Sequence, residues 1–134
     1  RGGGNGFMER LIQMGLLYDF YAPLLTEKQR QIAEEYYFHN LSLGEIAEEE
    51  KTSRQAVHDL LQRTEELLLK YEERLGLYRS YCERRKVRNR LAEGLSRLER
   101  LLPAELAEAR GLLRELKEAL ELLVEKEEGQ EDLA

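Results

Sequence analysis

The chain has few of the residues on which several protein classes depend. Only one of its 134 residues, Cys82, is a cysteine, which excludes an internal disulfide and, with two histidines, leaves no Cys/His cluster for zinc. Tryptophan is absent and proline occurs twice. No apolar run approaches the ~20 residues that span a bilayer, and no signal peptide is recognisable. We therefore expect a cytoplasmic protein without a membrane segment.

The abundant residues favour helices. Charged residues make up 36% of the chain, and Leu, Glu, Arg, Lys and Ala dominate the composition. We predict an all-α fold with a helix-turn-helix domain over residues 8–77, then a basic helix and a leucine-rich antiparallel hairpin over residues 78–127. An acidic, frayed tail over residues 128–134 follows. The first seven residues, RGGGNGF, resemble a cloning remnant and are left out of the fold prediction.

Residues 42–64 have the pattern of two short helices joined by a tight turn. Ser42 and Glu45 form an S-x-x-E capping box for the first helix, and Thr52 or Ser53 can cap the second. Apolar residues recur at helical spacing in both. The outward side of the second helix carries four polar side chains, those of Arg54, Gln55, His58 and Gln62. In a DNA reader, such side chains contact base edges and phosphates.

Two interpretations of this helix-turn-helix remain open. The segment from Ser42 to Arg63 has a net charge of −2, which opposes the phosphate neutralisation on which duplex binding depends. Lys51 also occupies the turn position where glycine would take a positive φ without strain. The motif is thus either a helical scaffold or a DNA-binding element whose placement of Arg54 compensates for the nearby acids.

The helices around the motif follow from local signals. Residues 8–25 predict a helix that is apolar on more than one side and is limited by Pro23. Thr26 and Gln29 form a second capping box at the start of the next helix. The second helix of the motif is predicted to continue to Gly76, a residue typical of helix C-termini.

A basic segment follows over residues 79–90, with a net charge of +5, whereas residues 1–78 carry −5 and residues 91–134 carry −6. The six basic residues are Arg79, Arg84, Arg85, Lys86, Arg88 and Arg90. Together with Tyr78 and Tyr81, they could grip an RNA backbone while a ring stacks on an exposed base. Alternatively, they form a solvated face that pairs with neighbouring glutamates.

Leucines then alternate at spacings of three and four residues, which predicts a helical hairpin with an apolar seam. Pro103 suits the first turn of its second helix. The seam is either the inner face of a hairpin or a homodimer interface, and both hold if two hairpins form a bundle. Its residues are Leu91, Leu95, Leu98, Leu102, Leu106, Ala109, Leu113, Leu116, Leu120 and Leu123.

No catalytic set is recognisable. Cys82 has no histidine near it in sequence, and His39 and His58 belong to no motif with a carboxylate. No glycine-rich phosphate loop follows a strand, so we expect neither a cofactor nor a metal, and the protein is predicted not to be an enzyme.

Residues 16–77 closely resemble the YlxM-like family of helix-turn-helix proteins. The resemblance is carried by the pieces LLYDFY, LLTEKQR, YY, SLGEIAE, SRQAV and YEERLGL, in the family's order. It implies a small bacterial cytoplasmic protein with a fold similar to region 4 of sigma factors, encoded beside the GTPase of the signal recognition particle. The implied role is that of an accessory protein of that pathway, with the particle RNA or the GTPase as partner. DNA binding through the helix-turn-helix is the alternative.

Overall fold

A computed structural model describes the backbone of residues 3–133 and the side chains of residues 6–126. Over this range the fold contains helices and no strand, which confirms the predicted all-α class. The helices are α1 (Gly3–Tyr21), α2 (Glu27–Tyr37), α3 (Leu43–Glu50), α4 (Arg54–Leu75), α5 (Leu77–Leu101) and α6 (Ala107–Leu133), with a 3₁₀ turn (Ala22–Leu24) after α1.

The chain forms two compact units, the first ending at Tyr78 and the second running from Arg79 to Leu133. Two of the helix limits differ from the prediction. Helix α1 begins at Gly3, within the segment that was left out of the fold prediction, and α6 continues through residues 128–133, which were predicted to be frayed. In both cases a helix that is already formed, over residues 8–21 or 107–127, continues into the adjoining segment, because adding a residue to an existing helix is easier than starting a new one.

Both predicted capping boxes form. The Thr26 hydroxyl accepts from the backbone of Gln29, whose side chain accepts in turn from the backbone of Thr26. Ser42 and Glu45 make the same reciprocal pair at the start of α3. Each box satisfies two backbone donors that a helix start leaves without partners, so the sequence fixes where α2 and α3 begin.

The turn of the helix-turn-helix contains a lysine in the left-handed conformation. Lys51 ends α3 with φ 56° and ψ 48°, and the N–H of Thr52 donates to the carbonyl of Ala47 at 3.0 Å. Ser53 then caps α4 by accepting from the backbone of Ala56. The prediction that a residue near position 51 takes a positive φ is confirmed.

Replacing Lys51 by Gly is expected to stabilise the first unit by about 0.5–1 kcal/mol, because glycine takes this conformation without the steric cost of a Cβ. Thermal unfolding followed by circular dichroism measures the change. Lys51→Ala serves as the control, since it removes the charge but keeps the Cβ; an equal gain from Ala would contradict the conformational explanation.

The core of the first unit joins all four of its helices. One cluster centres on Met14, Leu17 and Tyr21 of α1 with Leu68 of α4. A second cluster holds the helix-turn-helix together through Ile32, Ile46, Ala47, Val57 and Leu61. Because Val57, Leu61 and Thr64 are buried on one side of α4, the opposite side faces away from the core.

Tyrosine–glutamate hydrogen bonds link the helices around this core. Tyr18 bonds to Glu34, and Tyr37 bonds to Glu65. Tyr21, which is fully buried, donates to Oε1 of Glu72 at 2.7 Å and accepts from the N–H of Leu77 at 3.0 Å. Glu72 also accepts from the N–H of Tyr78 at 3.1 Å. The first backbone donors of α5 therefore bond to side chains of α1 and α4, directly after Gly76 turns the chain with φ 62°.

The second unit contains the antiparallel hairpin of α5 and α6. Nη1 of Arg110 lies 3.1 Å from the carbonyl oxygen of Leu102, and Lys117 pairs with Glu99 at 2.7 Å. The prediction that Pro103 begins a helix is wrong. Pro103 lies in the connecting turn, where its carbonyl accepts from the N–H of Leu106, and α6 starts only at Ala107. Proline disfavours helical backbone in the preceding residue, so it ends α5 instead.

Candidate nucleic-acid interface

Helix α4 presents the four predicted contact residues together. Arg54, Gln55, His58 and Gln62 are all exposed, and their spacing places them along one side of the helix, next to the buried stripe of Val57 and Leu61. Ser53 holds the start of this helix by its cap, which fixes the direction in which Arg54 leaves the chain. The structure therefore has the exposed second helix that a helix-turn-helix DNA reader requires.

A carboxylate lies within this face. Nε2 of Gln55 donates to Oδ1 of Asp59 at 3.0 Å, and Nδ1 of His58 lies 3.5 Å from the same oxygen. A base or phosphate approaching Gln55 would have to displace or tolerate that carboxylate. Glu48 and Glu49 of α3 are also exposed, so acidic side chains outnumber basic ones in the helix-turn-helix, which opposes the binding of phosphate.

Glu35 is a buried acid that the sequence prediction missed. Its side chain lies beside the carboxylates of Glu49 and Glu50, and Oε1 makes no hydrogen bond. Burial, followed by the charge of Glu50, raises the pKa of Glu35 from 4.5 to about 7. Lys28 pairs with Glu50 at 3.0 Å on the far side of this cluster. The position of Glu35 three residues after buried Ile32 is the sequence signal that could have revealed its burial.

The six predicted basic residues of α5 do not share one side of the helix. Arg84 and Arg88 line an apolar groove of the hairpin with Val87 and Leu91, and Arg84 donates to Oγ of Ser80 at 2.7 Å. Arg85 is exposed and leaves the helix about 100° away from Arg84. Six charges within twelve consecutive residues must spread around a helix, because neighbours in sequence diverge by about 100°.

A line of exposed basic side chains follows the outer side of α5. Lys86 and Arg90 are one turn apart, Arg79 lies two turns before Lys86, and Arg97 lies two turns after Arg90. We call these four residues the basic ridge; it spans about 27 Å of helix, at 1.5 Å per residue. Two exposed acids lie within this line, Glu83 between Arg79 and Lys86 and Glu93 between Arg90 and Arg97. The sequence prediction missed Arg97 because it stands outside the compact basic segment.

The tyrosines that were predicted to assist in base stacking do not both remain available. The ring of Tyr78 packs against Phe20 in an edge-on arrangement, with centroids 5.9 Å apart, and belongs to the first unit's core. Tyr81 is half-buried. The basic ridge therefore supplies positive side chains for phosphates. The Tyr78 ring, which was expected to stack on a base, packs against the core of the first unit instead.

The described residues were also searched for a metal site, a reactive thiol and a membrane-spanning helix. Among them, no three His, Cys, Asp or Glu side chains are arranged to hold a metal, and Cys82 is a half-buried thiol. Within the same part of the chain, no helix has the length and apolar character needed to cross a bilayer.

Comparison with known proteins identifies the family. A family model for helix-turn-helix proteins of the YlxM/p13 type matches residues 8–108. A UPF0122 protein of Geobacillus kaustophilus is 51% identical over 90 residues, covering 67% of this chain and 82% of the relative. A UPF0122 protein of Listeria innocua is 49% identical over 89 residues, covering 66% and 81%. YlxM of Bacillus subtilis is 48% identical over 86 residues, covering 64% and 78%. The resemblance of residues 16–77 is confirmed, and the chain belongs to the YlxM/p13-like family of helix-turn-helix proteins.

Proposed function

We propose that this chain is a non-catalytic, cytoplasmic accessory protein of the signal recognition particle pathway that binds the particle RNA through α5. The pathway follows from the resemblance to the YlxM-like family. The choice of α5 as the RNA contact rests on the position of the basic ridge, which is the observation that carries the proposal. In a chain of net charge −6, the four basic side chains of the ridge outnumber the two acids, Glu83 and Glu93, on the same side of α5.

The ridge suits a phosphate backbone better than it suits base recognition. Arginine and lysine side chains bind phosphates as charge partners, and each neutralised phosphate releases counterions. The ridge lacks the amide side chains that read adenine, apart from exposed Asn89 beside it. Recognition by this surface would therefore depend on the shape and charge of a folded RNA more than on its sequence.

Charge reversal along the ridge tests the proposal. The triple variant Arg79→Glu, Lys86→Glu and Arg90→Glu is expected to weaken binding to the particle RNA by at least about tenfold. It is also expected to make binding less dependent on salt, because each lost phosphate contact lowers the slope of log binding constant against log salt concentration by about 0.7–0.9. Fluorescence anisotropy of labelled RNA over a range of salt concentration measures both quantities.

The matched control is Arg63→Glu, Lys70→Glu and Arg74→Glu on α4. It changes the net charge equally, at exposed helical positions away from the recognition face. A ridge variant that binds as tightly as the control would contradict RNA contact through α5. If the unaltered chain does not bind the RNA, and both triple variants still bind the purified GTPase, the result would instead favour a protein partner.

DNA binding through α4 is the second candidate, supported by the joint exposure of Arg54, Gln55, His58 and Gln62. Changing all four to Ala would abolish duplex binding if these side chains read DNA. If this variant binds the same fraction of a mixed-sequence DNA duplex library as the unaltered chain, α4 does not read DNA through these side chains.

A further inference from the structure

Three carboxylates meet between α2 and α3 in the first unit. Glu35 of α2 lies beside Glu49 and Glu50 of α3. Lys28 donates to Oε1 of Glu50 at 3.0 Å, and Gln31 donates to Oε2 of the same residue at 2.7 Å. Both oxygens of Glu50 therefore have a donor, and these two donors are engaged there.

One oxygen of Glu35 has no partner in this cluster. Glu35 is 9% exposed, and its Oε1, which is inaccessible to solvent, accepts no hydrogen bond. The strongest influences on this carboxyl are burial and the acids Glu50 and Glu49, and all of them disfavour its ionised form. A buried carboxylate oxygen without a donor is costly, and a bound ion is one way in which proteins satisfy such an atom.

All three carboxylates also lie in the last turn of a helix, where positive charge is preferred. Glu35 is two residues before the end of α2, and Glu49 and Glu50 are the last residues of α3. Neither last turn contains a basic residue. Lys51, in the turn that follows, is exposed and is not among the leading influences on Glu35. Because a helix C-terminus carries about half a negative charge, two helix ends add to the negative potential of the acids.

We propose that the carboxylates of Glu35 and Glu49 bind Mg²⁺. Hard divalent cations prefer carboxylate oxygens, and Mg²⁺ is usually held by one or two carboxylates while it keeps several of its waters. A site with two direct ligands agrees with the finding that no three His, Cys, Asp or Glu side chains of the described residues are arranged around one metal position. Glu50 stays with its own donors and contributes charge from outside the ligand set.

Charge and access favour a divalent ion over a larger cationic group. Three ionised carboxylates and the Lys28 ammonium leave a net charge of −2, which one Mg²⁺ ion neutralises. The side chain of Glu50 is 9% exposed, as Glu35 is, so a guanidinium group of a partner protein has little room to reach either. Glu49 is exposed, which leaves solvent on one side of the site for the waters of the ion.

The ion competes with a proton for Glu35. Without the ion, burial and the neighbouring acids raise the pKa of Glu35 to about 7. Mg²⁺ offsets the same repulsion without protonation, and it ties the end of α2 to the end of α3 directly before the turn of the helix-turn-helix. The two ligands stand on separate helices, 14 positions apart, which is why no sequence motif marks the site.

Thermal unfolding with MgCl₂, followed by circular dichroism at constant ionic strength set with KCl, tests the site. At several times its dissociation constant, the ion is expected to raise the melting temperature of the unaltered chain by about 5 °C. Glu35→Gln and Glu49→Gln are each expected to lose this rise. Glu48→Gln removes the same charge at an exposed position of α3 and is expected to keep it. The rise is compared, rather than the melting temperature itself, because Glu35→Gln also removes repulsion.

Paramagnetic broadening by Mn²⁺, which takes the same oxygen ligands, locates the ion in the folded chain. The amide NMR signals of Glu35, Glu49 and Glu50 are expected to broaden first as Mn²⁺ is added. The proposal would be overturned by a melting temperature that MgCl₂ raises no more than KCl, by a rise that both ligand variants keep, or by broadening that is strongest elsewhere. Neither measurement involves RNA or the basic ridge, so its outcome is independent of the proposed function.

Discussion

Replacing Tyr21 by Phe is expected to destabilise the first unit by about 2 kcal/mol, although it removes only one oxygen atom. That hydroxyl is fully buried, donates to Glu72 and accepts from the N–H of Leu77. Without it, the N–H of Leu77 at the start of α5 loses its partner, and Glu72 loses one of its donors. A buried polar group left without a partner costs about 1–3 kcal/mol.

Urea unfolding followed by tyrosine fluorescence measures this loss. Six of the seven tyrosines lie in the first unit and no tryptophan is present, so the signal reports mainly on that unit. Tyr71→Phe is the matched control, since its hydroxyl makes a long contact of 3.5 Å with the carbonyl of Leu24. Equal losses from the two variants would show that the Tyr21 hydroxyl does not hold the start of α5.

Replacing Glu35 by Gln is expected to stabilise the protein at pH 8 and to leave it almost unchanged at pH 4. The pKa of Glu35 in the folded protein is about 7, raised from 4.5 chiefly by burial and by the charge of Glu50. Between these two values the unfolded chain releases its proton while the folded chain keeps it. Stability due to this group is therefore fully present below pH 4.5 and declines as the pH rises through 7.

The full pKa shift corresponds to about 3 kcal/mol, and solvent screening of the neighbouring exposed Glu49 reduces the expected gain at pH 8 to about 1–2 kcal/mol. Urea unfolding as a function of pH measures it. Glu66→Gln, at an exposed position of α4, controls for the loss of one negative charge. A gain that does not vary with pH, or that Glu66→Gln matches, would contradict the buried-carboxyl explanation.

Local signals predicted the helix-turn-helix well because each acts through a few neighbouring residues. Ser42 with Glu45, Ser53 and Gly76 are capping residues whose hydrogen bonds or backbone conformation are decided within one helical turn. The outward side of α4 followed in the same way from the spacing of Val57 and Leu61.

The missed features depend on packing between elements. The burial of Glu35 is set by the approach of α3 to α2, and the role of Tyr78 is set by Phe20 of α1. The leucine pattern could indicate that α5 and α6 pair, but it could not say which edge of each stripe would be covered, because both edges are equally apolar in sequence. Pro103 was compatible with either a turn or a first helical turn, and only the hydrogen bond from Leu106 decides between them.

The charge distribution also explains why a helix-turn-helix need not act on DNA. Asp59 and the glutamates of α3 place negative charge around the recognition face, whereas the positive surface lies on the outer side of α5. Because nonspecific affinity for nucleic acid is governed by phosphate neutralisation, the proposed contact lies with the basic ridge.

The most direct test of this account is to titrate the unaltered chain with the signal recognition particle RNA and with a mixed-sequence DNA duplex of equal length under the same salt conditions. The account predicts tighter, salt-dependent binding to the RNA, which the Arg79→Glu, Lys86→Glu, Arg90→Glu variant loses. Equal or tighter binding to the duplex, lost when Arg54, Gln55, His58 and Gln62 are changed to Ala, would contradict it.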